Sequence, residues 1–343
     1  MSISVSRKSR LAKKILFVDG LPGCGKTMFA SIFSTFKHVE MLSYSYEIEQ
    51  YCHLYYLKKL PIDTASLLIK LSSDLKLYNS MMGRDVNFRP SDLSSVFQSS
   101  DPNKYIRRLF NPGDETVPDA ILSEKPILNL STHNMLAFSE PIWGAFNDNC
   151  IFIEIVRHPV HMVKQQYLNM TNLIGTERSF TVHFSYKGKE VPYYAYEWRS
   201  EYIKMSPMDR VIFFINYITE KIKLVKGKIR QKYKNSILTI PFEPFVLNPE
   251  ATIKLVSKML KADLTSETLR VMTEQNVPRL KVGEGKDLGI YKRRGWSAPS
   301  KDSNERSEIY KKRNDISKEA SDEIMCLLDR LSEEYEEEYW VPG

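Results

Sequence analysis

The chain is poor in the features that mark several common protein classes. Its 343 residues hold 4 cysteines, Cys24, Cys52, Cys150 and Cys326, and these are widely scattered. None forms a C-x-x-C pair, so neither a zinc knuckle nor a disulfide framework is expected; the thiols read as reduced and the compartment as cytoplasmic. No apolar run approaches the ~20 residues needed to cross a bilayer, so no membrane span is expected. The basic start (Arg7, Lys8, Arg10, Lys13, Lys14) is not followed by the apolar stretch of a signal peptide. Internal repeats and low-complexity segments are missing too. No metal-ligating cluster stands out, so no metal site is expected.

What remains is ordinary for a globular protein: 42% hydrophobic and 27% charged residues, with a net charge of +7. The positive excess gathers in the N-terminal arm, read as a solvated tail, and around Lys281, Lys286, Lys292, Arg293, Arg294 and Lys301. No nucleic-acid motif accompanies it, and anionic small ligands need the same charge, so no nucleic-acid partner is expected. The run Glu333 to Glu338 reads as the solvated end of a packing helix.

One motif dominates. Ile15 to Asp19 reads as a buried strand, and Gly20-Leu21-Pro22-Gly23-Cys24-Gly25-Lys26-Thr27 fits G-x-x-x-x-G-K-[ST] at every fixed position. Met28, Phe29, Ile32, Phe33 and Phe36 then recur at helical spacing. Strand, glycine loop and helix N-terminus together make an anion site from backbone N–H groups and a helix dipole. Lys26 adds a point charge and Thr27 a hydroxyl. Cys24 is either mildly activated by the loop dipole or simply a small loop residue. A phosphorylated ligand, a nucleotide above all, is the expectation.

Further strands are expected at Val39–Leu42, Pro126–Leu130, Ile151–Val156 and Ile237–Ile240. Helices are expected over about 46–58, 64–80, 137–147 and 207–232, and from about 249. Residues 82–120 read as an irregular excursion. Phe180, Val182 and Phe184 alternate before Lys187-Gly188, with Val191 and Tyr193 after it, which reads as an inserted β-hairpin. Strands alternating with helices imply a P-loop-type three-layer α/β/α fold with a mostly parallel sheet. One domain is expected over 1–343, with a basic arm (1–14), an inserted hairpin (173–200) near the acceptor site and C-terminal helices (301–343). Ligands belong at the carboxyl ends of such strands, where the glycine loop, His133 and Arg157 all fall.

The ordered set of segments resembles the sulfotransferase family. The glycine loop lies where that family binds a 5′-phosphosulfate. PILNLSTHNMLAFSEPIW (126–143) is similar to its strand ending in T-H. FIEIVRHP (152–159) is similar to its "VxRNP" strand, residues 237–260 to its "YED" strand and helix, and Tyr291 to Trp296 to its late "RKGxxGDW" loop. The resemblance implies a cytoplasmic enzyme of that fold moving a sulfuryl group from 3′-phosphoadenosine 5′-phosphosulfate (PAPS) to a hydroxyl, without a metal. It implies His133 as base and Arg157, Arg293, Arg294 and Gly295 around the 3′-phosphate. Pro22, Gly23, Cys24, Gly25, Lys26, Thr27 and Met28 would form the 5′ loop, with Lys26 also catalytic. The family's loop lysine falls at Gly23, its serine after the arginine at Gln165, and the lysine before T-H at Ser131.

Tyr186, Tyr193, Tyr194, Tyr196, Trp198 and Tyr202 suit either stacking on a glycan or small-molecule acceptor or hairpin packing. Two other functions stay open from the residues. The complete G-x-x-x-x-G-K-T fits an ATP- and Mg²⁺-dependent kinase, although no strand ends in a Walker B aspartate. A nucleotide-binding switch or assembly protein would bind without turnover. The sequence leaves the oligomeric state open.

Overall fold

The computed structural model describes residues 3–92, 94–233, 236–285, 304–340 and 342. The late loop with Arg293, Arg294 and Gly295 lies outside the described residues, as do Lys286, Lys292 and Lys301.

Five strands form the central sheet: β1 (Lys14–Asp19), β2 (Ser43–Tyr44), β3 (Ile127–Ser131), β4 (Cys150–Val156) and, after the two hairpin strands, β7 (Ile237–Pro241). All are parallel, and they lie in the order β2-β3-β1-β4-β7. Every residue of β3 is buried, and β4 is buried from Cys150 to Ile155. A strand buried on both pleat faces needs cover on both sides, which is why these segments read as unbroken apolar runs. Helices supply that cover, giving a three-layer α/β/α arrangement. Phe17 on β1 stacks on Phe152 of β4, with ring centroids 4.7 Å apart.

Around the sheet run α1 (Lys26–Phe33), α2 (Tyr46–Tyr56), α3 (Ile62–Met81), α4 (Pro102–Arg108), α5 (Val117–Glu124), α6 (Glu140–Phe146) and α7 (Pro159–Asn172). The hairpin is made of β5 (His183–Tyr186) and β6 (Lys189–Pro192). Lys187 and Gly188 both take positive φ, 50° and 73°, the twist a two-residue hairpin loop requires. Next come α8 (Arg199–Tyr202), α9 (Pro207–Lys232), α10 (Phe242–Leu247), α11 (Glu250–Leu260) and α12 (Ser266–Glu274). Two last helices span Glu305–Ile316 and Asp322–Glu338. Ser206 caps α9 by accepting from the Asp209 N–H, with Pro207 in the first turn, a start written in the sequence.

The second strand departs from expectation. Val39 makes only an isolated bridge to Ile127, and the paired strand is Ser43–Tyr44. The side chain of Glu40 is drawn instead into a buried ion cluster with Arg108 (Nη1 2.7 Å, Nη2 3.0 Å) and Lys104 (2.9 Å). Those cations come from the 82–120 excursion, which is therefore partly helical and pinned to the sheet edge. The N-terminal arm is not a free tail. Asp74 on α3 accepts the Leu11 and Ala12 N–H groups (2.9 and 2.8 Å) and Arg7 Nε (2.6 Å).

Candidate active site

Asp19 ends β1 and anchors the turn beyond β3. Fully buried, it accepts the Thr132 hydroxyl (2.8 Å) and the N–H groups of Met135 (2.9 Å) and Leu136 (2.7 Å). The Asn134 N–H adds a bond to Gly20 O at 3.3 Å, so the two strand ends are tied together. Burial pushes the Asp19 carboxyl up, while these donors and the Lys26 charge pull it down. Sequence reading took Asp19 only as a strand end.

The loop turns through Gly23 and Gly25, with φ of 97° and 96°, a left-handed region that favours glycine. A Cβ on Gly25 would sit 2.5 Å from the Phe242 ring. The N–H groups of Gly23 and Gly25 take no backbone acceptor among the described residues. Gly25 precedes the first residue of α1, Lys26, which is 5% exposed. The arrangement has the donors, dipole and cation of an anion cradle. Cys24 is buried, and burial raises its thiol pKa; the activated-thiol alternative fails, and Cys24 is a packing residue beneath the loop. Met28 is buried beside Arg279, whose Nη2 lies 3.7 Å from its sulfur.

β4 delivers Arg157 to the other side of the loop. Its Nη1 donates to Gly23 O at 2.9 Å, and its guanidinium lies 4.3 Å from the centroid of the Phe242 ring. Its Nε is buried and makes no hydrogen bond among the described residues, with Glu243 Oε1 at ion-pair range, 3.8 Å. Glu243 is itself held by the Tyr335 hydroxyl (2.5 Å) and the His158 N–H (3.2 Å). His158 Nε2 meets Glu336 at 3.1 Å. The C-terminal glutamates are thus partly structural, not merely a solvated end. Gln165 lies against the loop, its Oε1 3.2 Å from where a Gly23 Cβ would stand. The direct bond comes from its neighbour, Gln166 Nε2 to Pro22 O at 2.8 Å, which sequence reading missed. Glu154, buried on β4, pairs with Lys226 and Thr239, both at 2.7 Å.

His133 stands just past β3. Glu49 on α2 accepts both its backbone N–H (2.8 Å) and Nδ1 (3.0 Å) through one oxygen, Oε1. With Nδ1–H engaged, Nε2 is left as the basic nitrogen. One turn on from Glu49, His53 is buried with neither ring nitrogen hydrogen-bonded among the described residues, its ring stacked 3.4 Å from that of Tyr193. Burial and the nearby His133 push its pKa well below the usual value, keeping it neutral. Asn134 Oδ1 is also buried and without a hydrogen bond among the described residues. The rings of Tyr44 and Tyr46 flank His133 at 6.5 and 6.2 Å, and Phe180 lies 5.8 Å from Tyr46.

The inserted segment therefore does reach the surroundings of His133, through Phe180 and Tyr193. Its other rings pack. Tyr194 and Trp198 are buried, and Tyr186 and Tyr196 lie against Arg199. Among the described residues no cluster of three or more His, Cys, Asp or Glu is placed to hold a metal, and no helix is long and apolar enough to cross a membrane.

In the structure, glycine loop, arginine and carboxylate-held histidine meet at one end of the sheet. Among solved structures, the chain is similar to sulfotransferases. The sulfotransferase domain of the Synechococcus olefin synthase superposes with a TM-score of 0.42 at 11% identity, covering 92% of this chain and 98% of that one. The sulfotransferase domain of the curacin biosynthetic pathway gives 0.46 at 12%, covering 90% and 99%. A sulfotransferase of Alicyclobacillus acidocaldarius gives 0.35 at 12%, covering 94% and 96%. No family model and no curated protein matches the chain. Superpositions at this level say nothing of substrate or chemistry, which must come from the residues themselves.

Proposed function

We propose that the protein is a sulfotransferase that moves a sulfuryl group from PAPS to a hydroxyl acceptor, with His133 as general base. The observation that carries this reading is the Glu49–His133 pair placed beside the glycine loop. An imidazole titrates near neutrality, and a carboxylate on Nδ1 orients Nε2 and stabilises the imidazolium that forms when a hydroxyl is deprotonated. Sequence resemblance over most of the chain points the same way.

The residues fit a doubly phosphorylated nucleotide. The glycine N–H groups without backbone acceptors among the described residues, the α1 dipole and Lys26 suit its 5′ side, and the Arg157 guanidinium against the loop suits a second phosphate. When bound, PAPS supplies the sulfuryl group and leaves as adenosine 3′,5′-bisphosphate. Lys26 and the loop donors would stabilise charge on the bridging oxygen; one such donor is typically worth ~10²–10³ in rate. Arg293, Arg294 and Gly295 are proposed to close over the 3′-phosphate. His133 Nε2 takes the acceptor proton. The buried polar atoms of His53 and Asn134 nearby suit a hydroxyl-bearing acceptor, whether a small molecule or a glycan, and Tyr44, Tyr46 and Phe180 offer ring faces around it.

Melting curves of the purified protein with adenosine 3′,5′-bisphosphate, and with ATP, each with and without Mg²⁺, test this. Stabilisation by the bisphosphate without metal, lost in Arg157→Ala, is expected. Stabilisation by Mg·ATP alone would overturn it in favour of a P-loop kinase, the reading favoured by the complete motif with Lys26 opening α1.

A further inference from the structure

A second basic cavity lies at the opposite end of the sheet. It has a volume of about 460 Å³, within the usual range for a small-ligand site. Lys13, Lys14, His38, Lys125 and Lys261 line it, and among the described residues no carboxylate-bearing side chain does. Ile121, Pro126, Ile127 and Leu260, all buried, contribute its apolar walls. Lys14 opens β1 whereas the glycine loop comes after Asp19 at the other end, a separation of roughly 17 Å at 3.3 Å per strand residue.

The backbone and the charges show how these lysines converge. His38, Lys125 and Lys261 all take positive φ (67°, 50° and 48°), where glycine is the cheaper residue. At Lys125 and Lys261 this is the left-handed C-cap that ends α5 and α11, which turns both lysines out at the cavity rim. The cations also crowd one another. Lys14 donates to Leu260 O at 2.5 Å, and burial together with the Lys261 charge lowers its pKa. The nearest acid in sequence, Glu124, lies 3.6 Å from Arg108. Lysines at the ends of α5 and α11 complement helix dipoles, which accounts for Lys125 and Lys261 singly. It does not account for their convergence with Lys13 and His38 over one apolar floor.

We propose that this cavity binds a small amphipathic anion, with a carboxylate, sulfonate or phosphate head among the lysines and an apolar body against Leu11 and Leu122, the apolar lining residues with surface to offer. The site is separate from the glycine loop and does not rest on the sulfotransferase reading.

The test is calorimetric titration with naphthalene-2-sulfonate, with neutral 2-naphthol and inorganic sulfate as controls. The sulfonate is expected to bind saturably at one site and the controls at least tenfold more weakly. The Lys125→Gln/Lys261→Gln double variant, both residues being exposed, should lose at least tenfold in affinity while staying folded, with only the small drop in melting temperature that loss of two helix-end charges brings. Arg157→Gln should bind as the parent does. Equal binding of 2-naphthol, no saturable binding, or loss of binding in Arg157→Gln but not in the lysine variant would each overturn the proposal.

Discussion

A single oxygen of Glu49 receives both the backbone N–H and the Nδ1 of His133, at 2.8 and 3.0 Å. One carboxylate thus sets both the position of the residue and the orientation of its ring. Glu49→Gln keeps an acceptor oxygen but removes the charge that stabilises the imidazolium. It should lower kcat by about 10–100-fold with little change in KM. His133→Ala should cost ~10²–10⁴ in kcat. Steady-state kinetics across pH, once an acceptor is known, checks both; a Glu49→Gln profile that matches the parent would remove the positioning role.

Lys26 should act on rate and Arg157 on binding. Lys26→Ala is expected to lose ~10²–10³ in kcat, while Arg157→Ala should lose the thermal stabilisation by adenosine 3′,5′-bisphosphate. If Lys26→Ala retained full turnover, the loop would be a scaffold and not part of the chemistry.

Gly25→Ala introduces a Cβ at φ 96° and 2.5 Å from Phe242. We expect a destabilisation of about 1–3 kcal/mol together with loss of bisphosphate binding, since Phe242 also carries the Arg157 guanidinium. Urea unfolding and the melting-shift assay report the two effects separately.

The Glu40 cluster predicts an acid-sensitive step in stability. Lys104 and Arg108 outweigh burial and hold the Glu40 carboxyl down from 4.5 to about 2. Because the folded pKa lies below the unfolded one, this stabilisation is complete only above the unfolded value of 4.5. It is lost as pH falls through that value toward the folded one. Glu40→Gln should therefore cost about 3–5 kcal/mol at neutral pH, leaving Arg108 buried and poorly paired. The gap from the parent should narrow in acid, below the unfolded pKa, in urea melts; a constant gap across pH would contradict the assignment.

Asp74→Ala strips partners from the buried Ala12 N–H and from Leu11. A loss of about 1–3 kcal/mol is expected, with the arm ahead of β1 becoming open to limited proteolysis while the remainder resists.

Much of the architecture was readable in the chain, for a physical reason. β1, β3 and β4 are central parallel strands, so both faces are buried and the apolar runs are unbroken. The long helix α9 announced its start with Ser206-Pro207. β2 was misplaced because Glu40, inside an apolar run, serves an ion cluster whose cations lie 64 and 68 positions away. Helix α4 was missed although Asp101-Pro102 is a cap signal, because its 7 residues are too few and too polar to show a period. At the site, the loop, His133 and Arg157 were legible from motif and strand ends. Glu49 was not, since it lies 84 positions from the histidine it holds and on a different element. The resemblance pointed to Gln165, where the family's serine falls, whereas the bond to the loop comes from its buried neighbour Gln166.

The hydroxyl of Tyr335 on Glu243, and Glu336 on His158, join the final helix to the arginine side of the loop. During synthesis, then, the glycine cradle emerges early, but the group that steadies its arginine arrives only with one of the last turns of this helix to be made. Until that helix folds back against the arginine, the protein would hold a loop without a finished clamp, and ligand capture would await its docking.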